Sequence, residues 1–409
     1  MLPGLSIKFD NGNIGTTVST ADGVFGLLAS AVAVVDKFEL NKPYTVKGMA
    51  DVAALGILPD LNNYALHKWL SEFYAEAGEG AELWLMGFAQ DTKVSDWFTP
   101  DAQTGKAPVQ DLMDASNGRI SALFTCFSPD GDYVVVDNDG LDADVAASII
   151  KAQTFAESYT ANRFTPIFVI LEGYAFSGSA IDLPDLTEDN KNRVGVLIGN
   201  TKEGSELPAT LGAASACLAG RLAVIAVQEN PGMVKRGALA AEKLFINDVP
   251  VELFDVAALH DKGYITFRTH ERKAGYYLTD DPLATGADDD YRRINRRRVI
   301  DKAYRIAHSI ASDEILADFD LTNEGKISPI YAKDIEGKIE NAIFNQMTAN
   351  GELSRDQSNP DDLGVEAVFN TDLNVAQTNR IELSLKVRPR GSADFFVINL
   401  GYDVSLNTN

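Results

Sequence analysis

Three short apolar segments, ISALFTCFS, TPIFVILEGYA and RVGVLIGN, follow one another through the middle of the chain. Each has the length and bounded apolar character of a buried strand. Between the first two lies DADVAASIIKAQTFAESYTAN, a helical stretch with Asp142 and Asp144 at its start. The third is followed by LGAASACLAGRLAVIAVQ, a helix or helix pair rich in small residues. Strands that alternate with helices favour a mainly parallel sheet with helices on its faces.

The preceding part continues this pattern. NYALHKWLSEFYAEA places Leu66, Trp69, Leu70 and Phe73 at helical spacing, and Gly78 and Gly80 stop it. ELWLMGFA then reads as a buried strand. The longest apolar run, Val24 to Val35, has 12 residues. That is too short to span a bilayer, so it reads as a buried segment and the chain is expected not to insert in a membrane. Residues 89–117 are polar and carry Pro100, Gly105 and Pro108, which predicts an exposed loop or small insertion. YVVVDND is a hairpin partner or a loop edge.

Further along, GYITFRTHE and GYYLTD read as strands. DDDYRRINRRRVIDKAYRIAHSIASDEI follows, with five arginines within seven residues. Asp288, Asp289 and Asp290 suit the first turn of a helix, where the macrodipole favours negative charge. Ile300, Ala303, Tyr304, Ala307, Ile310, Ala311 and Ile315 recur at three- and four-residue steps as one apolar face. Arg298, Lys302 and Arg305 share the opposite face. Arg292, Arg293, Arg296 and Arg297 continue the apolar side towards the start.

SPIYAKDIEGKIENAIFNQMTANG predicts a further amphipathic helix. The end is β: VEAVFNTDLNV, RIELSLKVRP and FFVINLGYDVSL. At the beginning, Leu5, Ile7 and Phe9 alternate with polar residues in a strand pattern that Asn11, Gly12, Asn13 and Gly15 break.

A net charge of -23 disfavours bulk nucleic-acid binding, because phosphate contacts need a basic surface. Cys126 and Cys217 sit in apolar surroundings and read as reduced core residues of an intracellular protein. MLPGLSIKFDNG has no basic start followed by an apolar core, so no signal peptide is expected. The four histidines, His67, His260, His270 and His308, have no metal-ligand spacing. GNTKEGSE, from Gly199, lacks the lysine that reaches phosphates in a phosphate loop. AFSGSA is not a nucleophile elbow, and no GxGxxG follows a strand. No catalytic, cofactor or metal site is expected. A soluble α/β enzyme with an unrecognised active site is the alternative reading.

Taken in order, LPGLSI, ADGVFGLLASA, NKPYTVKGMADVAALGI, NYALHKWLSEFYAEAGEGAELWLMGF, LAGRLAVIAVQENPGMVKRGAL, HDKGYITFRTHERKAGYYLTDDPLA, YRRINRRRVIDKAYRIAHSI and LKVRPRGSADFFVINLGYDVSL resemble successive segments of the contractile tail sheath family. That family serves phage tails, tailocins and related injection systems. The family's tryptophan-glycine-rich strand before the arginine helix is reduced here to GYYLTDD, and the large outer insertions of the longest sheaths are missing.

The resemblance implies a mainly parallel, doubly wound α/β body over residues 21–270. It also implies an α+β inner, tube-facing domain over 271–388 and extended strand arms at 1–20 and 389–409. It further implies stacked hexameric rings around a tail tube protein, with baseplate and tail terminator proteins as further partners. Contraction would drive the tube through the target envelope without a cofactor. The location implied is the tail of a virion, assembled in the bacterial cytoplasm. Leu5, Ile7, Phe9, Phe395, Val397 and Leu400 are the candidate inter-subunit arm residues. Arg292, Arg293, Arg296, Arg297, Lys333 and Lys338 are the candidate charge contacts, to the tube or between subunits.

Overall fold

In the computed structural model, which describes residues 21–60, 62–201, 211–394 and 397–401, the small-residue run after Asp22 is a strand, β1 (Phe25–Ala31). All seven of its residues are buried, as expected for a strand covered on both faces. Chain order continues with β2 (Pro43–Val46), α1 (Met49–Ala54), α2 (Tyr64–Ala77), β3 (Leu83–Ala89), α3 (Val94–Trp97) and α4 (Gln110–Ser116). It goes on through β4 (Ala122–Cys126), α5 (Ala143–Arg163), β5 (Phe168–Glu172), β6 (Val194–Leu197) and α6 (Ser215–Val224).

These strands form one sheet in the order β2-β3-β1-β4-β5-β6. β1 pairs parallel with β3, Phe25 opposite Leu83, and with β4, Phe25 opposite Ala122. β4 and β5, and β5 and β6, are also parallel, whereas β2 runs antiparallel at the β3 edge. The expected mainly parallel α/β body is therefore present.

Helix α2 buries Leu66, Trp69, Leu70 and Phe73, the residues whose spacing predicted it. Each such fully buried side chain contributes roughly 1.5–3 kcal/mol. α6 packs against α2 and β4. A Cβ at Gly220 would lie 2.5 Å from the Phe73 carbonyl oxygen, so the small-residue composition of α6 is what lets the two helices approach. Cys126 and Cys217 are buried and unpaired, and burial pushes both thiols well up.

Residues 89–117 do not form an exposed loop. They fold into α3 and α4, and Trp97, Val109, Leu112 and Met113 are buried. The Trp97 ring stacks on Phe88 at 4.5 Å. The one continuous exposed stretch of this segment is 100–106. Two helices of one or two turns are too short to show a period, so proline and glycine dominated the sequence signal.

The larger of two compact units ends at Leu316. It also holds the hairpin β7 (Phe267–His270) and β8 (Lys273–Leu278), and the arginine helix α7 (Ile294–Asp313). In the smaller unit, Ala317–Asn409, α8 (Pro329–Ile343) packs on β9 (Val365–Phe369), which pairs antiparallel with β10 (Leu383–Val387). Residues 397–401 carry no strand in the single chain. No helix among the described residues is long and apolar enough to cross a membrane.

Candidate assembly surfaces

Helix α7 starts at Ile294, so Asp288, Asp289 and Asp290 lie in the turn before it and not in its first turn. The Asp289 carboxylate is used there, accepting from Asn192, Thr285 and the Tyr291 amide. The acid at the helix start is Asp281, whose carboxylate accepts from the Asn295 amide at 2.8 Å. Its backbone carbonyl accepts from the Ile294 amide. Burial, reinforced by neighbouring Asp280, pushes the Asp281 carboxyl well up.

The faces of α7 also differ from the periodic expectation. Val299, Ala303 and Ile306 point inward, flanked by Arg298, Lys302 and Arg305. Arg298 is buried and donates to the carbonyls of Leu222 at 3.0 Å and Ile225 at 3.3 Å. Lys302 and Arg305 each reach the Asp22 carboxylate at 2.9 Å. Burial alone would raise that carboxyl, but Arg305 and Lys302 outweigh it and hold it below the ordinary aspartate value. Pairing thus turns the predicted polar face inward, and Tyr304 and Ile315 of the predicted apolar face stand exposed.

The arginines at the helix start divide. Arg293 pairs with Asp280 at 3.1 Å. Arg297 is buried, pairs with Asp301 at 3.4 Å and lies over the Tyr291 ring at 4.3 Å. Asp301 also receives Arg193 at 3.4 Å. Arg296 is exposed and Arg292 half-exposed, and neither makes a side-chain ion pair among the described residues.

In the smaller unit, Lys333 pairs with Glu336 at 2.5 Å and Lys338 with Asp334 at 2.8 Å. Glu336 accepts from the Phe369 amide at 2.7 Å, and Glu340 from the Ala367 amide at 2.8 Å. The two helix carboxylates therefore close the outer edge of β9. Just beyond the strand ends, the Glu382 carbonyl accepts from the Asn370 amide and the Arg388 amide donates to the Gly364 carbonyl. By antiparallel alternation, the amides of Leu383, Leu385 and Val387 face away from β9.

Val397 and Leu400 are exposed, whereas Leu5, Ile7, Phe9 and Phe395 lie outside the described residues. Among the described residues no group of three His, Cys, Asp or Glu side chains is arranged to hold a metal.

This architecture can be set beside known proteins. A family profile described as "DUF2586, N-terminal domain" matches residues 2–282, and "DUF2586, C-terminal domain" matches residues 290–407. The chain belongs to the DUF2586 family. No curated protein matches it. This DUF2586 chain is 18% identical to the helical sheath of the anti-feeding prophage in its contracted state. The TM-score is 0.62, over 98% of this chain and 99% of that one. The sheath of an extracellular contractile injection system, the PVC sheath complex in the contracted state, aligns with a TM-score of 0.59 at 12% identity. That match covers 100% of this chain and 99% of the other. The sheath tail protein Lin1278 from Listeria innocua aligns with a TM-score of 0.53 at 10% identity, over 92% and 93% of the two chains. The DUF2586 chain has the contractile sheath fold, as the sequence resemblance implied.

Two groups of residues in these surfaces escape sequence reading. Asp22 is a lone acid remote in sequence from the helix it holds, and Asp281 is one of two adjacent acids that no spacing singles out. Glu336 and Glu340 show the helical spacing of a solvated face, yet their carboxylates bond the backbone of β9.

Proposed function

We propose that this chain is the non-catalytic structural subunit of a contractile sheath. It polymerises as stacked hexameric rings around a rigid tail tube, with a baseplate at one end and a terminator protein at the other. It then shortens to drive the tube through the target envelope. The particle is a phage tail in a virion, or an injection system of the same build. The observation that carries this reading is the alignment of nearly the whole chain, in both directions, with sheath proteins in contracted assemblies.

In this reading the body is a doubly wound α/β layer, and the inner, tube-facing part begins near residue 271. The N-terminal arm, with Leu5, Ile7 and Phe9, and the C-terminal arm, with Phe395, Val397 and Leu400, leave the subunit and add as strands to neighbours. Among the described residues no strand lies on the outer edge of β10, which supports this, because a row of unpaired backbone groups is a template for strand addition. The exposure of Val397 and Leu400 supports it as well. Lys333 and Lys338 on α8 supply the tube contact.

Negative-stain microscopy of the purified protein tests the proposal. Rings, tubes or long polysheath are expected, without added nucleotide. A small discrete oligomer that turns over a substrate would overturn it in favour of an enzyme.

A further inference from the structure

We propose that the outer ridge of α7 and the loop 130–139 are the two halves of one head-to-tail contact between copies of this chain. The inference rests on the self-assembly reading above, and it adds a contact that does not involve the arms.

The ridge runs along one line of the helix surface, through Arg296, Ile300, Tyr304 and His308, at steps of four. Tyr304 and His308 are stacked, with ring centroids 6.1 Å apart. His308 in turn stacks on Phe164 at 4.9 Å. Phe164 is 52% exposed although it is a large apolar side chain. It occupies the left-handed C-cap of α5, at φ 54°, a position that glycine or asparagine normally takes. A large apolar ring left half in water fits a surface that a neighbour covers. Arg296 adds a charge with no partner on its own chain among the described residues. Asp288 and Asp290 stand exposed in the turn before the helix, and Arg296 is the basic group on the ridge itself.

The loop has the complementary character. Val134, Val135 and Val136 are exposed side by side, Val134 at 76%. Asp130, Asp132, Asp137 and Asp139 flank them, all exposed, with no basic residue between. An apolar strip beside a lone arginine thus faces, on a second copy, an apolar strip beside four carboxylates. Opposite charges of this kind select register and partner.

Placement gives the contact its direction. The loop leads into the N-terminus of α5, and Phe164 is the C-cap of the same helix. A helix of 21 residues is about 30 Å long, so the two patches sit at opposite ends of one rigid rod. Complementary patches at opposite ends of one rod suit a heterologous contact, which propagates into a ring or a helix, and pelleting separates that from a closed two-fold pair.

Charge reversal tests this. Wild-type protein, R296E, D132R/D137R and the chain carrying all three changes are compared by sedimentation and negative stain, with thermal unfolding confirming that each folds. Polymer that pellets for wild type, is lost in R296E and in D132R/D137R, and returns in the combined chain is the expected result. Wild-type polymer that persists unchanged in both reversed variants overturns the inference and leaves the sheath reading intact. So does R296E polymer that forms normally alone and fails only to coat the tube, which assigns Arg296 to the tube. A wild-type protein that forms no polymer refutes the sheath reading itself.

Discussion

The Asp281 carboxylate accepts a hydrogen bond from the Asn295 amide at 2.8 Å, across fourteen residues of sequence. It therefore holds the start of the arginine helix to the strand and turn before it, and Asn230 donates to it from a third segment at 2.7 Å. Replacing Asp281 with alanine strands the Asn295 amide and removes one of two acceptors of the Asn230 amide, which keeps Asp280. A loss of about 2–3 kcal/mol is expected in denaturant unfolding. Asp281→Asn keeps an acceptor and should cost clearly less. Equal losses for the two variants would show that charge, and not the hydrogen bond, is what matters at this site.

Asp22 is a second such anchor, with the opposite pH behaviour. Its carboxyl is held below the ordinary aspartate value in the folded chain. The stability it contributes is therefore complete above the unfolded value of about 3.9, and is lost as pH falls through the folded value. Asp22→Ala removes the carboxylate that Lys302 and Arg305 share, both of them partly buried. It should cost about 2–4 kcal/mol at neutral pH. The difference from wild type should shrink as the solution is taken below pH 4. A difference that stays constant down to pH 2 would contradict the linkage.

The paired and unpaired arginines should separate under conservative change. Arg297→Lys removes a planar group that spans Asp301 and the Tyr291 ring, and lysine reproduces neither geometry. A destabilisation of about 1–3 kcal/mol is expected, read from the unfolding midpoint. Arg296→Lys changes an exposed side chain and should stay within about 0.5 kcal/mol of wild type. A reversed order would place the load on the outer arginine.

These contrasts show where sequence reading reaches its limit. The parallel body was legible because β1, β4, β5 and β6 are continuous apolar runs, and α2 repeats its buried residues at a helical period. The start and orientation of α7 were not. Its apolar line, Ile300, Tyr304 and Ile315, promised an inward face, but Arg298 meets the carbonyls at the end of α6, and Lys302 and Arg305 meet Asp22. Those partners are remote in sequence, so periodicity carries no trace of them. The same holds for Glu336 and Glu340, whose bonds to β9 depend on how α8 lies on the hairpin. The four candidate arginines lie in one segment, yet only the structure divides them into paired and outward-facing members.

The β10 edge yields the sharpest test of the arms. Within β10 the even-numbered residues bond to β9, and the odd-numbered amides face outward. Proline removes one amide and is tolerated in a strand only where that amide has no ladder partner. Leu385→Pro therefore deletes an outward amide and should leave the β9–β10 hairpin formed, with only a modest fall in stability. Ser384→Pro deletes an amide that bonds to Val368 and should disrupt the hairpin itself. If arms from neighbouring subunits add to this edge, Leu385→Pro should give folded protein that no longer polymerises, as read by sedimentation beside circular dichroism. The β9 edge cannot substitute, because Glu336 and Glu340 already hold the Phe369 and Ala367 amides. Full-length tubes formed by Leu385→Pro would show that the arms dock elsewhere.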